Sequence, residues 1–189
     1  MSADRGAVLL RLARRAIEQA LGLDGAPHEG AAWLAEPGAT FVTLRQGAEL
    51  RGCIGSLEAR RPLMQDVMTN AVAAALRDPR FPPLTAKELP RTKLEVSLLS
   101  PLERLEFCDE EDALRQLRPG ADGVVLECGA RRGTFLPQVW SDLPEPRRFL
   151  SQLKRKAGLA EDYWADGIRL YRYTVSKWKE SEKAGELAT

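Results

Sequence analysis

The chain has a single histidine, His28, and only three cysteines, Cys53, Cys108 and Cys128, with no CxxC pair among them. That scarcity of imidazole and paired thiolate argues against the usual zinc spacings. It leaves His28, in a loop rich in Gly, Ala and Pro, as the one imidazole that could serve a nucleophilic thiol. Charge of either sign is not in excess: 28 basic against 27 acidic residues give a net charge of +1. No global field therefore recruits nucleic acid or an anionic membrane surface. Aromatic residues make up 6% of the chain, and no apolar run approaches the ~20 residues that span a bilayer. The first twenty residues carry Asp4, Arg5, Arg11, Arg14, Arg15 and Glu18, a pattern foreign to a secretory leader. An odd set of thiols without a leader reads as reduced cysteines, so the expectation is a soluble cytoplasmic protein. No phosphate-binding glycine loop and no Ser-His-Asp order stands out, and no cofactor and no metal site are expected.

What is present is an alternation of helical and extended patterns within 189 residues, enough for one domain or two small lobes. Residues 4–21 place Val8, Leu9, Leu12, Ile17 and Leu21 on one helical face, with Asp4 as N-cap and Gly22 as the stop. From Ala39 the period becomes two. Phe41–Leu44 and Leu50–Ile54 then form a hairpin around "RQGAE". Pro62 opens a second helix that runs to Leu76, and Pro79, Pro82 and Pro83 in "DPRFPPL" end it. Thr85 and Glu88 have capping-box spacing for a short helix. "KLEVSLLS" is a strand with Leu94, Val96 and Leu98 on one face and Glu95 and Ser97 on the other. Asp109 and Asp112 start a third helix, Gly123–Cys128 and Gly133–Leu136 a second hairpin, and "PEPRRFLSQLKRKAG" a fourth helix ended by Gly158. Ile168–Val175 is expected as the last strand, with residues 179–189 a polar tail, expected to be disordered.

The two hairpins resemble one another. "VTLRQGAELRGCIG" and "VVLECGARRGTFLP" share V-x-L-x-x-G-A followed by Arg-Gly, the second being one residue shorter. The match sets Arg51–Gly52–Cys53 against Arg132–Gly133–Thr134. It is consistent with an internal duplication facing a common cleft, and equally with the glycine that any short turn demands.

The stretch "LRGCIGSL" carries the chemistry. Strand alternation puts Arg51 and Cys53 on one face, where a guanidinium favours the nucleophilic thiolate. Gly52 and Gly55 admit positive φ and would open the backbone to a ligand. The bland alternative is a small, half-buried cysteine beside tight glycine turns. Glu95 is a candidate base or a partner for Arg51, against a plain salt-bridged carboxylate. Arg80, in a proline-fixed loop, is a candidate binding residue, against simple pairing with Asp78. Arg147, Arg148, Lys154, Arg155 and Lys156 gather positive charge on one helix, either for an acidic partner or as a solvated face.

In series, "LRGCIGSLEARRPL", "DPRFPPLTAKELPRTKLEVSLLSPLERL", "GVVLECGARRGTFLPQVW" and "FLSQLKRKAGL" resemble the AMMECR-type domain family, also called AmmeMemoRadiSam system protein A. The resemblance covers nearly the whole chain. It implies an α+β fold of antiparallel or mixed sheets with flanking helices. Both chain ends would form a larger subdomain and an inserted segment a smaller one, with a cleft between them; residues 1–178 would be a single domain. It also implies partners, a Memo-type protein and a radical S-adenosylmethionine protein, and a functional surface at Arg51, Gly52, Cys53, Ile54 and Gly55. Two functions follow as expectations: a ligand- or partner-binding module using Leu50–Gly55, with small-molecule ligands allowed but no nucleic acid or membrane, or an enzyme subunit with Cys53 as nucleophile or substrate-anchoring thiol and Glu95 or a water handling protons.

Overall fold

A computed structural model describes residues 2–23 and 30–181 of the chain. His28, and with it the Cys53–His28 pairing weighed above, lies outside the described residues. The chain divides into two units, Met1–Leu99 with Ser176–Thr189, and Ser100–Val175. The fold is α+β, with four helices and ten strands in three sheets among the described residues.

The first unit opens with helix α1 (Ser2–Ala20), which begins before Asp4 and ends where Gly22 takes φ +74°. A two-residue pair, β1 (Pro37–Gly38) with β4 (Arg61–Pro62), brackets the hairpin of β2 (Thr40–Gln46) and β3 (Glu49–Gly55). Helix α2 (Leu63–Leu76) follows, then β5 (Lys93–Leu99). The sheet order is β10-β5-β2-β3, where β10 is Val175–Lys179. Val42, Leu44, Leu94 and Val96 are buried on one face of this sheet, in one core with Leu9, Leu12 and Ile17 of α1 and Val67, Ala71 and Ala74 of α2. This follows from the two periods: alternate strand residues and every third or fourth helix residue meet in one apolar layer.

Two expectations change here. Residues 85–88 do not start an α-helix. Thr85 donates its amide to Glu88 at 2.9 Å, as in a capping box, but its hydroxyl also donates to that carboxylate (2.8 Å) instead of accepting from the Glu88 amide, and the chain makes only a 3-10 turn over Leu89–Arg91. Leu89 still donates to the Thr85 carbonyl at 3.3 Å, but Pro90 has no amide hydrogen with which to make the next α-helical bond. The last extended segment is two strands in two sheets, and residues 179–181 are not tail. Lys179 closes β10, and Glu180 accepts from Arg14 Nε at 2.6 Å and from the amide of Leu94 at 2.9 Å. Residues 182–189 lie outside the described set.

The second unit runs β6 (Glu103–Arg104), α3 (Glu110–Gln116), β7 (Gly123–Cys128), β8 (Arg131–Phe135), α4 (Pro146–Lys156) and β9 (Ile168–Tyr173), with sheet order β6-β9-β7-β8. Asp109 caps α3 by accepting from the Asp112 amide at 2.7 Å, as its position suggested. Phe149, Leu150 and Leu153 of α4 pack on Val124, Leu126 and Leu170, and Trp140 stacks on Phe149 at 3.7 Å. Lys154 is fully buried, its ammonium held by Glu110 at 2.5 Å and by the Glu161 carbonyl at 3.2 Å. Of the basic cluster on α4, Arg147 pairs with Glu111 and Arg155 with Glu161, the behaviour of a helix face balanced by its neighbours.

Candidate functional site

Strand β3 lies at the edge of its sheet, paired only with β2 among the described strands. Opposite pairs are Phe41 with Gly55, Val42 with Ile54, Thr43 with Cys53 and Leu44 with Gly52; then the register slips, and Arg45 faces Leu50. Arg51 is therefore the extra residue of a β-bulge. The alternation that would set Arg51 beside Cys53 is interrupted there. The Arg51 guanidinium goes to Glu88 (3.3 Å) and the Pro83 carbonyl (3.5 Å).

The glycines of the stretch have a different use from the one their type suggests. Neither Gly52 nor Gly55 has positive φ. A Cβ on Gly52 would sit 2.1 Å from the backbone oxygen of Ala74, so this position is bare because the last turns of α2 lie directly on it. A Cβ on Gly55 would strike the Phe41 ring at 2.2 Å; the aromatic covers the glycine from the neighbouring strand. Ile54 packs toward the core. Cys53, paired with Thr43, turns its side chain to the opposite face.

There it joins a cross-strand row. Thr43 stands opposite both Cys53 and Glu95. Thr43 Oγ1 and Cys53 Sγ are 3.3 Å apart, and either can donate. Glu95 is buried and ion-paired to Lys177 (3.0 Å) and Lys179 (3.2 Å). Burial pushes the Glu95 carboxyl up, but the two ammonium groups outweigh it and the net shift is downward. A carboxylate so stabilised is a poor general base near neutrality. Glu95 does not pair with Arg51.

The backbone of Cys53 faces outward along the sheet edge, and both of its polar groups are taken. Its amide donates to Asp78 Oδ2 at 2.8 Å, and its carbonyl accepts from Arg80 Nη2 at 3.0 Å. The Arg80 guanidinium and the Asp78 carboxylate are themselves joined at 2.7 and 2.9 Å, and the Arg80 amide donates to Asp78 Oδ1 at 3.1 Å. Together "DPR" imitates the missing neighbour strand with one carboxylate and one guanidinium. The Asp78 side chain is 1% exposed, and that of Arg80 is 54% exposed. The guanidinium of Arg80 holds the Asp78 carboxyl far below the usual carboxylate range, assisted by the Cys53 amide against the opposing effect of burial. Arg80 is raised in turn, first by Asp78 and to a lesser degree by its proximity to Cys53.

The sequence reading paired Asp78 with Arg80 but did not give Asp78 its place on Cys53. It also missed Asp66, which is buried and accepts from Thr40 N (2.8 Å), Thr40 Oγ1 (2.7 Å), Ser56 Oγ (2.8 Å), Arg61 Nε (2.8 Å) and Asn70 Nδ2 (2.9 Å). That hub fastens the start of β2 and the exit of β3 to α2. Its sequence signal is Asp66 and Asn70, four apart, on the otherwise apolar buried face of α2. A hollow of about 730 Å³ lined by Arg11, Arg14, Arg15, Lys93, Lys179 and Glu180 contains no residue of Leu50–Gly55. Among the described residues, no group of three His, Cys, Asp or Glu is placed to hold a metal ion, and no helix is long and apolar enough to cross a membrane.

Comparison with known proteins agrees with this architecture. A protein of Thermofilum pendens is 38% identical over 202 residues, covering 99% of this chain and 95% of its own. Protein MJ0810 of Methanocaldococcus jannaschii is 39% identical over 141 residues, 74% of this chain and 70% of its own. The crystal structure of the uncharacterized protein PH0010 from Pyrococcus horikoshii matches with a TM-score of 0.75 at 35% identity, covering 94% of this chain and 92% of that one. The AMMECR1 family model matches residues 10–178, and the chain belongs to the AMMECR1 family.

Proposed function

We propose that the protein is a cytoplasmic binding module, working with a Memo-type protein and a radical S-adenosylmethionine protein, and that it presents the Cys53 side of β3 to a ligand or partner. One observation carries this reading: the edge amide and carbonyl of Cys53 are already bonded to Asp78 and Arg80. A partner cannot add a strand there without breaking both bonds. What remains for recognition is side chains, the half-buried thiol of Cys53 and the half-exposed guanidinium of Arg80. Glu95, bound to two lysines, offers no base.

The test is capture of the Memo-type and radical S-adenosylmethionine proteins of the same genome by the purified chain. Arg80→Ala is expected to weaken capture about tenfold, and Cys53→Ser to leave it within about twofold. Equal capture by wild type and Arg80→Ala would sink the reading.

The Arg80 guanidinium on the Cys53 carbonyl, a cation placed beside the residue that carries the thiol, favours a second reading, an enzyme subunit with a reactive thiol. It requires Cys53 to react with iodoacetamide at neutral pH faster than a free thiol of pKa ~8.5. An ordinary rate removes it.

A further inference from the structure

We propose that Arg51 is an anion-accepting residue and that Glu88 stands in this structure for the carboxylate or phosphate group it takes. The inference rests on the binding reading above and names the chemical class of what binds beside β3.

Arg51 is set apart by how poorly it is bonded. Its side chain is only 11% exposed, so its charge needs good acceptors. Its contacts to Glu88 are 3.3 and 3.5 Å, and that to the Pro83 carbonyl is 3.5 Å. Nη1 is buried without an acceptor. Charge-assisted bonds from a guanidinium to an oxyanion run about 2.7–2.9 Å. Other arginines of the same unit reach that range: Arg14 meets Glu180 at 2.6 Å and the Thr92 carbonyl at 2.7 Å, Arg61 meets Asp66 at 2.8 Å, and Arg80 meets Asp78 at 2.7 Å. The outlier is the residue that the bulge adds.

Glu88 does not depend on this pair. Thr85 holds its carboxylate through an amide at 2.9 Å and a hydroxyl at 2.8 Å. Those two bonds, the amide first, do most to lower its pKa to about 2, with Arg51 contributing less. The pair is thus asymmetric. Glu88 keeps its acceptor role satisfied if Arg51 turns away, whereas Arg51 has Nη1 unused and only long bonds from Nε and Nη2. A planar fork of five donors in a half-desolvated place selects an oxyanion over a neutral group. Bulges are a recurrent way to re-aim one side chain from a sheet edge toward a site.

A purely structural Arg51, bracing the 83–88 segment, makes a different prediction. The experiment is NMR of the arginine Nε–Hε signals of the full 15N-labelled chain. It is titrated with inorganic phosphate, with succinate, and with chloride at matched ionic strength. The Arg51 signal, assigned by its loss in Arg51→Lys, is expected to shift saturably at millimolar phosphate or succinate and not with chloride. Glu88→Gln, which retains an acceptor for Thr85 but removes the competing charge, is expected to tighten binding at least threefold. A response to phosphate alone assigns a phosphate group, and to succinate alone a carboxylate. No shift up to tens of millimolar, or an equal shift with chloride, overturns the proposal. So does weaker or unchanged binding in Glu88→Gln. Loss of protein capture by Arg80→Ala bears on the binding-module reading and leaves this titration unaffected, so the two can fail separately.

Discussion

The two hairpins, β2–β3 and β7–β8, are the same construction with one residue of difference. Each turns on a positive-φ glycine, Gly47 at 60° and Gly129 at 59°. Each sets a leucine opposite a glycine, Leu44 with Gly52 and Leu126 with Gly133. In each, the end of the following helix lies on that glycine: Ala74 of α2 on Gly52, Leu153 and Ala157 at the end of α4 on Gly133. In each, the first strand of the hairpin then pairs with the strand after that helix, β5 or β9. Even the edge is treated alike, for Lys156 donates to the Thr134 carbonyl at 2.9 Å as Arg80 does to Cys53. Register corrects the alignment made on sequence, however. Arg132 faces Glu127 as Leu50 faces Arg45, so Arg51 has no counterpart in the second hairpin. The shared features are scaffold, and subtracting them leaves Arg51, Asp78 and the thiol of Cys53 as what the first unit adds.

This comparison can be broken in four ways, in order of expected effect. Gly52→Ala drives a methyl into a backbone oxygen and is expected to destabilise by roughly 3 kcal/mol, whereas Gly133→Ala, with contacts at 3.1 Å, is expected to lose roughly 1 kcal/mol in urea unfolding. Equal losses would mean the two helix seats are not graded as the distances say. Asp78→Ala leaves the Cys53 amide and Arg80 without their carboxylate and is expected to lose about 2 kcal/mol. Removing the exposed bond of Lys156 by Lys156→Ala should lose under about 0.5 kcal/mol. A larger loss there would make the second edge as dependent on its cap as the first.

Deleting Arg51 should restore the register of β8 to β3. The chain is expected to stay folded, with stability lowered by about 1 kcal/mol and amide signals of α2 little moved. Global unfolding would show that the bulge is part of the scaffold. The smallest effect concerns acid. A folded pKa of about 2 for Glu88 lies below its unfolded value of ~4.3. Its contribution is therefore complete above about pH 5 and is lost as pH falls through that interval. The protection of β3 amides, taken relative to the intrinsic exchange rate at each pH, should fall as pH drops through the interval in wild type, and that step should be absent from Glu88→Gln.

Much of this fold was legible because period and punctuation agree locally. The strand at 93–99, both hairpins, and helices α2 and α4 follow from alternation, helical spacing and flanking Pro or Gly. β10 was not legible, because "VSKWK" is short and polar and is extended only through its place beside β5. At the candidate site the residues were legible and their bonds were not. Cys53 and Arg80 were both singled out, but the bonds from Cys53 to Asp78 and Arg80 run between residues 25 and 27 positions apart. Local pattern carries no information on such contacts. The glycines were misjudged for a related reason: a bare position can mean a close helix as readily as an open backbone.

The strand β10 has a consequence for how the molecule comes into being. It belongs to the sheet of the first unit but is encoded after the whole of the second. On the ribosome, residues 1–99 emerge with β5 as a bare edge, the lysine partners of Glu95 and the Glu180 partner of Arg14 still untranslated. The second unit is one continuous stretch that is translated in between. The half of the protein made first is thus the half finished last, and its unclosed sheet is the surface on which chaperones or misassembly would act.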